Sequence, residues 1–140
     1  MNNLGDLDNL SVGYEFKPIE HKIDPKEIDA YVSSLGDSVQ FYKENNIAPP
    51  TALLAYALKL VLTEMKLPGG SVHAAQDMTC FKSISNNETV ILNGKISQNS
   101  VRSGWRYLIV DISADSIKSN AAVTGRSTIL IPVPEEKTHA

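Results

Sequence analysis

The sequence IAPPTALLAYALKLVLTEMKLPGG, residues 47–70, decides the fold of this protein. Between Thr51 and Leu67 nearly every side chain is apolar, which predicts a helix that the rest of the chain must enclose. The helix starts at a Pro-Pro-Thr sequence, with Thr51 as the predicted N-cap, and ends at Pro-Gly-Gly, residues 68–70. Its roughly 17 residues, which include internal charges, fall short of a membrane span.

The composition limits the class of protein. With 140 residues, 42% hydrophobic and 21% charged, the chain is expected to form one soluble domain, residues 1–140, with its core at about residues 12–133. A net charge of −3 without a basic stripe argues against nucleic-acid binding. Residues 1–10 do not resemble a signal peptide, so a cytoplasmic location is expected. The single cysteine, Cys80, is expected to be buried, and no Cys/His spacing indicates zinc, so neither metal nor cofactor is predicted.

The segment before the central helix contains two weaker elements. Residues 12–18 alternate and predict a short first strand. Asp24-Pro25 is typical of a helix start, and Gly36 is the predicted end of that helix. From Asp37 to the central helix we predict a loop.

Four strands are predicted after the central helix, at residues 71–82, 88–98, 105–114 and 121–133. Short polar turns separate several of them, including Asn86-Asn87 and Ser103-Gly104, so the strands should pair antiparallel. The predicted fold is α+β, a curved antiparallel sheet wrapped around one long buried helix, which is the hot-dog arrangement. The exposed edges of such a sheet are commonly covered by pairing into dimers.

Short motifs along the chain are similar to those of a known family. They are YVSSLGD at residues 31–37, APPT at 48–51, LPGGSVH at 67–73 with Gln76 beyond it, and AVTG at 122–125. Their order and spacing resemble the MaoC-like dehydratases, hot-dog proteins that include (R)-specific enoyl-thioester hydratases and 3-hydroxyacyl-ACP dehydratase subunits. The resemblance implies that water is added to, or removed from, C2–C3 of an acyl-CoA or acyl-ACP.

The resemblance also implies a catalytic pair. Active members hold the water with an Asp and with a His five residues later, positions that fall on Asp37 and Tyr42. A phenol, with a pKa near ~10, donates a hydrogen bond but is a poor base at neutral pH. His73, on the strand after the helix, is the third candidate catalytic residue, and strand alternation puts Asp77 on its face. Asp37 could instead satisfy loop amides, Tyr42 could be a core aromatic, and His73 could lie at a dimer surface.

The resemblance places the substrate at the start of the central helix, where backbone N–H groups face the thioester carbonyl. The His-Gly pair of active members becomes Pro-Thr or Thr-Ala here, so the candidate substrate-binding residues are Pro50, Thr51, Ala52 and Leu53. Proline has no N–H, so the other three must supply the donor.

Two functions remain open. The first is an acyl-thioester hydratase/dehydratase. The second, indicated by the Tyr in place of His, is a non-catalytic hot-dog subunit that pairs with an active hydratase chain and shapes its acyl channel. A thioesterase fits less well, because the only carboxylate of the helix, Glu64, is near its far end. The expected partners are an acyl-CoA or acyl-carrier protein and a second hot-dog chain, in a homodimer or heterodimer, with no membrane. Gln76 is expected to bond across strands or to the helix-start loop. Arg102 and Arg106 could meet the phosphates of a CoA or acyl-carrier pantetheine arm, although exposed strand arginines usually lie on a solvated face.

Overall fold

A computed structural model describes residues 7–34, 39–117 and 120–134 of the protein. A 3-10 turn, Leu7–Asn9, precedes three helices: α1 (Pro25–Ser33), α2 (Val39–Asn45) and α3 (Pro50–Glu64). The eight strands are β1 (Ile19–Lys22), β2 (Ile47–Ala48), β3 (Val72–Gln76), β4 (Thr79–Cys80), β5 (Ile84–Ser85), β6 (Thr89–Arg102), β7 (Trp105–Ser116) and β8 (Ala121–Pro132). None of the helices within these ranges has the length and apolarity needed to cross a bilayer.

One antiparallel sheet wraps α3. Its strand order is β1-β6-β7-β8-β3, and β4 also pairs with β8. The short strands β2 and β5 form a separate pair beside the start of α3. Helix α3 packs over β6, β7 and β8, the three long strands at the centre of the sheet. This arrangement confirms the predicted hot-dog fold.

The long hairpin of β6 and β7 follows from its sequence. The turn residues Ser103 and Gly104 have φ of 53° and 81°, and two positive φ values are what a two-residue hairpin turn requires. Along β7 every second residue is buried, from Arg106 to Ser116, as expected when one face of a strand covers the core. The predicted turns at Ser103-Gly104 and at Asn87, whose φ is 70°, are both present.

Two glycines let α3 lie close to the sheet. A Cβ added to Gly94 on β6 would lie 2.5 Å from Cγ2 of Val61, and one added to Gly125 on β8 would lie 2.7 Å from Cδ1 of Leu54. Non-bonded carbon atoms normally stay about 3.5–4.0 Å apart. The helix therefore occupies space that any other residue at these two positions would fill.

Only one side of α3 is enclosed in the single chain. The buried residues are Ala52, Leu53, Leu54, Ala57, Leu60 and Val61. Ala55 and Leu62 on the remaining side are exposed, and all five residues of the neighbouring strand β3 are exposed as well. The curved sheet covers one side of α3, and the other side stays open in the single chain. The helix also ends at Glu64, before the predicted Leu67.

The first strand lies later than predicted. The sequence placed it at residues 12–18, whereas β1 is Ile19–Lys22. Residues before it approach β6 through a bridge of Glu15 to Lys95 and a bond from the Phe16 N–H to the Gly94 carbonyl. Pro18 has no N–H to donate and interrupts the pairing between the two stretches.

Helix α1 starts as predicted and ends early. The Asp24 side chain accepts a hydrogen bond from the Lys26 N–H at 2.9 Å, and Pro25 opens the helix. The C-cap is Ser34, whereas the sequence predicted an end at Gly36. Gly36 and Asp37 lie outside the described residues.

The prediction of a loop after Asp37 is wrong for residues 39–45, because they form helix α2. The helix is followed by Asn46, whose φ of 55° is the left-handed conformation in which helices often end. Seven residues cover about two helical turns, too few for hydrophobic periodicity to distinguish a helix from a loop.

The strand predicted at residues 71–82 is two strands. A register shift between His73 and Ala75 marks a bulge in β3, and Cys80 lies on β4. Cys80 is exposed, which contradicts its predicted burial. The β3–β4 segment lies beside β8 at the border of the sheet, so little of the chain covers its side chains.

The Arg106 side chain is buried on the core side of the sheet, whereas the sequence analysis expected a solvated strand face. Its side chain donates to Oδ1 of Asn99 at 2.7 Å and forms an ion pair with Asp8. Nδ2 of Asn99 donates to the carbonyls of Leu7 and Leu10. These contacts fasten the N-terminal turn to the sheet, and the core extends from Leu7 to Ile131. A single domain of residues 1–140 stays a prediction.

Candidate functional site

The start of α3 is joined to α1 by two side-chain hydroxyls. Pro49 is the N-cap and makes no side-chain capping bond, so Thr51 lies inside the first turn and is not the N-cap. The Tyr31 hydroxyl lies 2.9 Å from Oγ1 of Thr51. This hydrogen bond links residues 20 positions apart and fixes α1 against the beginning of α3.

The four predicted substrate-binding residues differ in what their backbone can offer. Ala52 and Leu53 are buried, and both of their N–H groups point to the Pro49 carbonyl, at 3.0 and 3.4 Å. Pro50 has no N–H. The Thr51 N–H has no hydrogen-bond partner among the residues that the structure describes, and Thr51 is exposed. Thr51 is therefore the member of this set with a free donor.

An apolar groove runs between α3 and β3. A cavity of about 310 Å³ opens beside the first turns of the helix, and a second of about 190 Å³ shares Leu58 and His73 with it and extends the groove toward Leu62. We call the first cavity the α3–β3 groove; it is lined by Thr51, Leu54, Ala55, Leu58, His73, Gln76 and Met78.

The structure brings two of the predicted site residues together. Thr51 and His73, 22 positions apart in sequence, both line the α3–β3 groove. Strand alternation predicted that Asp77 and His73 share a face, but within the described chain no hydrogen bond or ion pair joins the two side chains. The Asp77 carboxylate accepts from the Arg126 N–H at 2.8 Å, and the bulge after His73 breaks the alternation on which that prediction depended.

Tyr42 and Asp37 are not among the groove residues. The Tyr42 ring is half-buried on α2, meets Phe41 edge-on at 5.4 Å and packs against the core. Asp37 lies outside the described residues, between the end of α1 and the start of α2. The catalytic roles of both residues stay predictions.

Gln76 holds a fixed position in the groove wall. Its Oε1 accepts from the hydroxyl of the fully buried Ser127 on β8, and its Nε2 donates to the Asp77 carbonyl at 2.7 Å. The predicted bond across strands is confirmed. A Cβ at Gly125 would lie 2.7 Å from Nε2 of Gln76, so this glycine makes room for the amide.

The apolar wall of the groove was missed by sequence reasoning. It comes from Leu54, Ala55 and Leu58 on α3 and from Met78 after β3. Leu54 and Leu58 are four positions apart and so share a helix face, which was the available signal. In a helix that is apolar almost all round, this spacing alone does not identify the face that borders a groove.

A separate cavity, of about 300 Å³, lies on the other side of α3 from the α3–β3 groove. There the His21 ring stacks on Tyr56 at 4.5 Å, and Nε2 of His21 lies 3.5 Å from Oε1 of Glu27. Burial, and then the charge of Glu27, raise the pKa of the Tyr56 phenol. The cluster holds α1 against β1 and α3.

A larger cavity, of about 540 Å³, lies on the polar outer face of the sheet. Two of its charged groups pair with each other: Nε of Arg126 donates to Oδ1 of Asp111 at 2.8 Å, which raises the pKa of the arginine. Nδ2 of Asn93 donates to Asp115 at 2.7 Å. In the described ranges no three His, Cys, Asp or Glu side chains are grouped to hold a metal ion. The α3–β3 groove, which combines apolar walls with a free donor, is the better candidate site.

A curved antiparallel sheet around one helix, with an apolar groove at the first turns of that helix, defines a hot-dog protein. No protein-family model matches the sequence, and no curated protein matches it either. The chain is similar in structure to the (R)-hydratase PhaJ1 from Pseudomonas aeruginosa, with a TM-score of 0.72 and 12% identity over 99% of this chain and 94% of that one.

Two further solved structures are similar. The MaoC-like dehydratase from Rhodospirillum rubrum gives a TM-score of 0.69 and 12% identity over 92% of this chain and 97% of that one. The truncated HadBC (3R-hydroxyacyl-ACP dehydratase) complex from Mycobacterium tuberculosis gives 0.68 and 10% identity over 85% of this chain and 96% of that one. These likenesses show that the chain shares the hot-dog fold of the MaoC-like dehydratases and (R)-hydratases.

Proposed function

We propose that the protein is a hydratase/dehydratase-type hot-dog protein that binds the acyl chain of an acyl-CoA or acyl-carrier-protein thioester in the α3–β3 groove. The observation that carries the proposal is the apolar groove that ends at the free donor of Thr51. A fold shared with an (R)-hydratase and a MaoC-like dehydratase supports it.

The groove has the chemistry of an acyl thioester. Leu54, Ala55 and Leu58 offer apolar surface to a hydrocarbon chain, whose burial is favourable by about 0.8 kcal/mol per methylene. Thr51 and Gln76 add polar groups to the lining of the same groove, where the thioester carbonyl would need a hydrogen-bond donor. A chain of a few carbons would fit the first cavity, and a longer one would continue past Leu58.

Hydration needs a donor for the carbonyl oxygen and a group that activates water. We assign the first role to the Thr51 N–H, at the helix end where the macrodipole favours negative charge. We assign water activation to Asp37 and Tyr42, with His73 as a further candidate for proton transfer inside the groove.

The second candidate function is a non-catalytic subunit that pairs with an active hot-dog chain. The core packing of Tyr42, in the position where active members carry the His, favours it. Among the residues that the structure describes, strand β3 pairs only with β8, so its other edge is open. Exposed Val72, Met78 and Phe81 lie on or near β3, as expected of a surface that pairs with another chain. HadBC, a structural neighbour, is a complex. The partner would be a second copy of this chain or a different hot-dog chain.

A thioesterase remains the weaker proposal. Glu64, the carboxylate of α3, lines the cavity on the other side of the helix together with His21 and Tyr56. It is therefore separated from the α3–β3 groove by the helix itself. A cytoplasmic location stays a prediction of the sequence.

Hydration of crotonyl-CoA by the purified chain separates the two functions. An enzyme should show activity that falls at least about tenfold in Asp37→Ala, as loss of a general acid–base group predicts. The control Cys80→Ser, an exposed residue outside the groove lining, should keep that activity. A non-catalytic subunit should bind acyl-CoA, measured by calorimetry, and give hydration only after an active hot-dog chain is added. Failure to bind any acyl-CoA, alone or with a partner, would refute both functions.

A further inference from the structure

We propose that the Thr51 side chain donates a hydrogen bond to the carbonyl oxygen of the bound thioester, and that Tyr31 is the positioning residue that aims this hydroxyl. The inference rests on the proposed function, because it assigns a role within the same groove. Its basis is the Tyr31–Thr51 hydrogen bond at the start of α3 together with the position of Thr51 in the groove lining.

The direction of the Tyr31–Thr51 hydrogen bond follows from the acidity of the two groups. Each hydroxyl has one hydrogen and can also accept. A phenol, with a pKa near ~10, is a far stronger acid than an aliphatic alcohol and is therefore the better donor. Tyr31 donates and Oγ1 of Thr51 accepts, at 2.9 Å. The hydrogen of Thr51 must then point away from Tyr31.

That hydrogen is available to a ligand. Thr51 is exposed, and its hydroxyl has no protein acceptor in the described part of the chain. Because Oγ1 already accepts a bond, the O–H is polarised and becomes a stronger donor. Tyr31 packs against the core, so the group that aims Thr51 is itself held in place. The result is a donor in the groove lining whose direction is set before the ligand arrives.

Gln76 offers a second donor to the same groove. Its amide has two N–H bonds, of which one is used by the Asp77 carbonyl. Its oxygen is occupied by Ser127, so the amide cannot turn to present an acceptor. The groove lining contains no carboxylate, and its fixed polar groups are donors. Such a lining selects a ligand that carries an acceptor, as a thioester does and a thioether does not.

The test compares binding of butyryl-CoA with binding of S-butyl-CoA, its thioether analogue without the carbonyl, by calorimetry on the full chain. Wild type should bind the thioester about 3- to 10-fold more tightly, which is the range for one net hydrogen bond. Thr51→Val should reduce that preference, because only the hydroxyl donor is lost while the backbone N–H of residue 51 stays. Thr51→Ser should retain it, and Tyr31→Phe should reduce it. Tyr107→Phe is the matched control, because Tyr107 lies under Arg102 on β7, outside the groove lining, and the preference should not change.

A merely structural role for Tyr31 would weaken binding of both ligands equally and leave their ratio unchanged, and this result would overturn the inference. Retention of the full preference in Thr51→Val would overturn it as well. If wild type binds both ligands equally, the donor assignment fails while acyl binding stands. If wild type binds neither ligand, the proposed function fails and the inference falls with it. Tyr31→Phe, which leaves Thr51 in place, keeps the test decisive if Thr51→Val does not fold.

Discussion

The contact of α3 with the sheet at Gly94 predicts a strong energetic coupling between Gly94 and Val61. A Cβ at Gly94 would lie 2.5 Å from Cγ2 of Val61 and 3.3 Å from the Phe16 ring, so Gly94→Ala forces a shift of about 1 Å in a region where Val61 is fully buried. Overpacking of this kind costs about 1–3 kcal/mol. Val61→Ala removes about two methylene equivalents and should cost about 2 kcal/mol.

The double variant should be more stable than the sum of the single changes predicts. The alanine methyl at position 94 would occupy space vacated by Val61, so we expect a loss of about 1–2 kcal/mol rather than about 3–5, and a coupling energy of about 1–3 kcal/mol. Urea unfolding at equilibrium measures the free energy of unfolding of wild type, the two single variants and the double variant, with Trp105 fluorescence and circular dichroism as probes.

Gly69→Ala is the matched control, because nothing lies within 4 Å of a Cβ there. We expect it to be neutral or to stabilise by up to about 1 kcal/mol, since alanine restricts the unfolded chain. Additive effects of Gly94→Ala and Val61→Ala, or a Gly94→Ala variant as stable as Gly69→Ala, would refute the reasoning that α3 rests directly on Gly94.

Three further predictions concern other contacts. Gly125→Ala should cost about 2–3 kcal/mol in unfolding free energy, because the added Cβ would lie 2.5 Å from the Asp77 carbonyl oxygen. The same Cβ would displace Gln76 and so weaken acyl-CoA binding. Unchanged stability and binding would contradict this prediction. Arg106→Met should cost about 1–3 kcal/mol in unfolding free energy, because it removes the donor to Oδ1 of Asn99 and the ion pair with Asp8. The N-terminal turn should then become more sensitive to proteolysis, and equal protease resistance would be the contrary result. Burial raises the pKa of Tyr56 in the folded chain above its value in the unfolded chain. The neutral phenol therefore contributes fully to the free energy of unfolding below about pH 10, and this contribution is lost as the pH rises through the raised pKa. Tyr56→Phe should lessen this loss of stability at alkaline pH, measured by urea unfolding at several pH values. An unchanged dependence of the unfolding free energy on pH would contradict the prediction.

Among the site residues, Thr51 and His73 could be selected from the sequence because their residue types and their positions at the ends of predicted elements are visible in it. Gln76 was identified as a cross-strand partner, and Ser127 confirms this. In the sequence, Tyr31 was visible only as the first residue of the YVSSLGD motif. Its hydrogen bond to Thr51 spans 20 residues, and no local pattern encodes which two hydroxyls such a distance will bring together.

The sequence by itself determined the features that depend on near neighbours. The Asp24 cap, the Ser103-Gly104 turn and the apolar run of α3 follow from local hydrogen bonding, backbone strain and hydrophobicity, and together they were sufficient for the hot-dog fold. Only the tertiary structure decided that α3 is covered on one side, that Arg106 is buried, and that residues 39–45 form a helix. These outcomes depend on which surfaces of distant segments meet, and the free energy of that packing is set by shape and burial across the whole chain rather than by any short stretch of it.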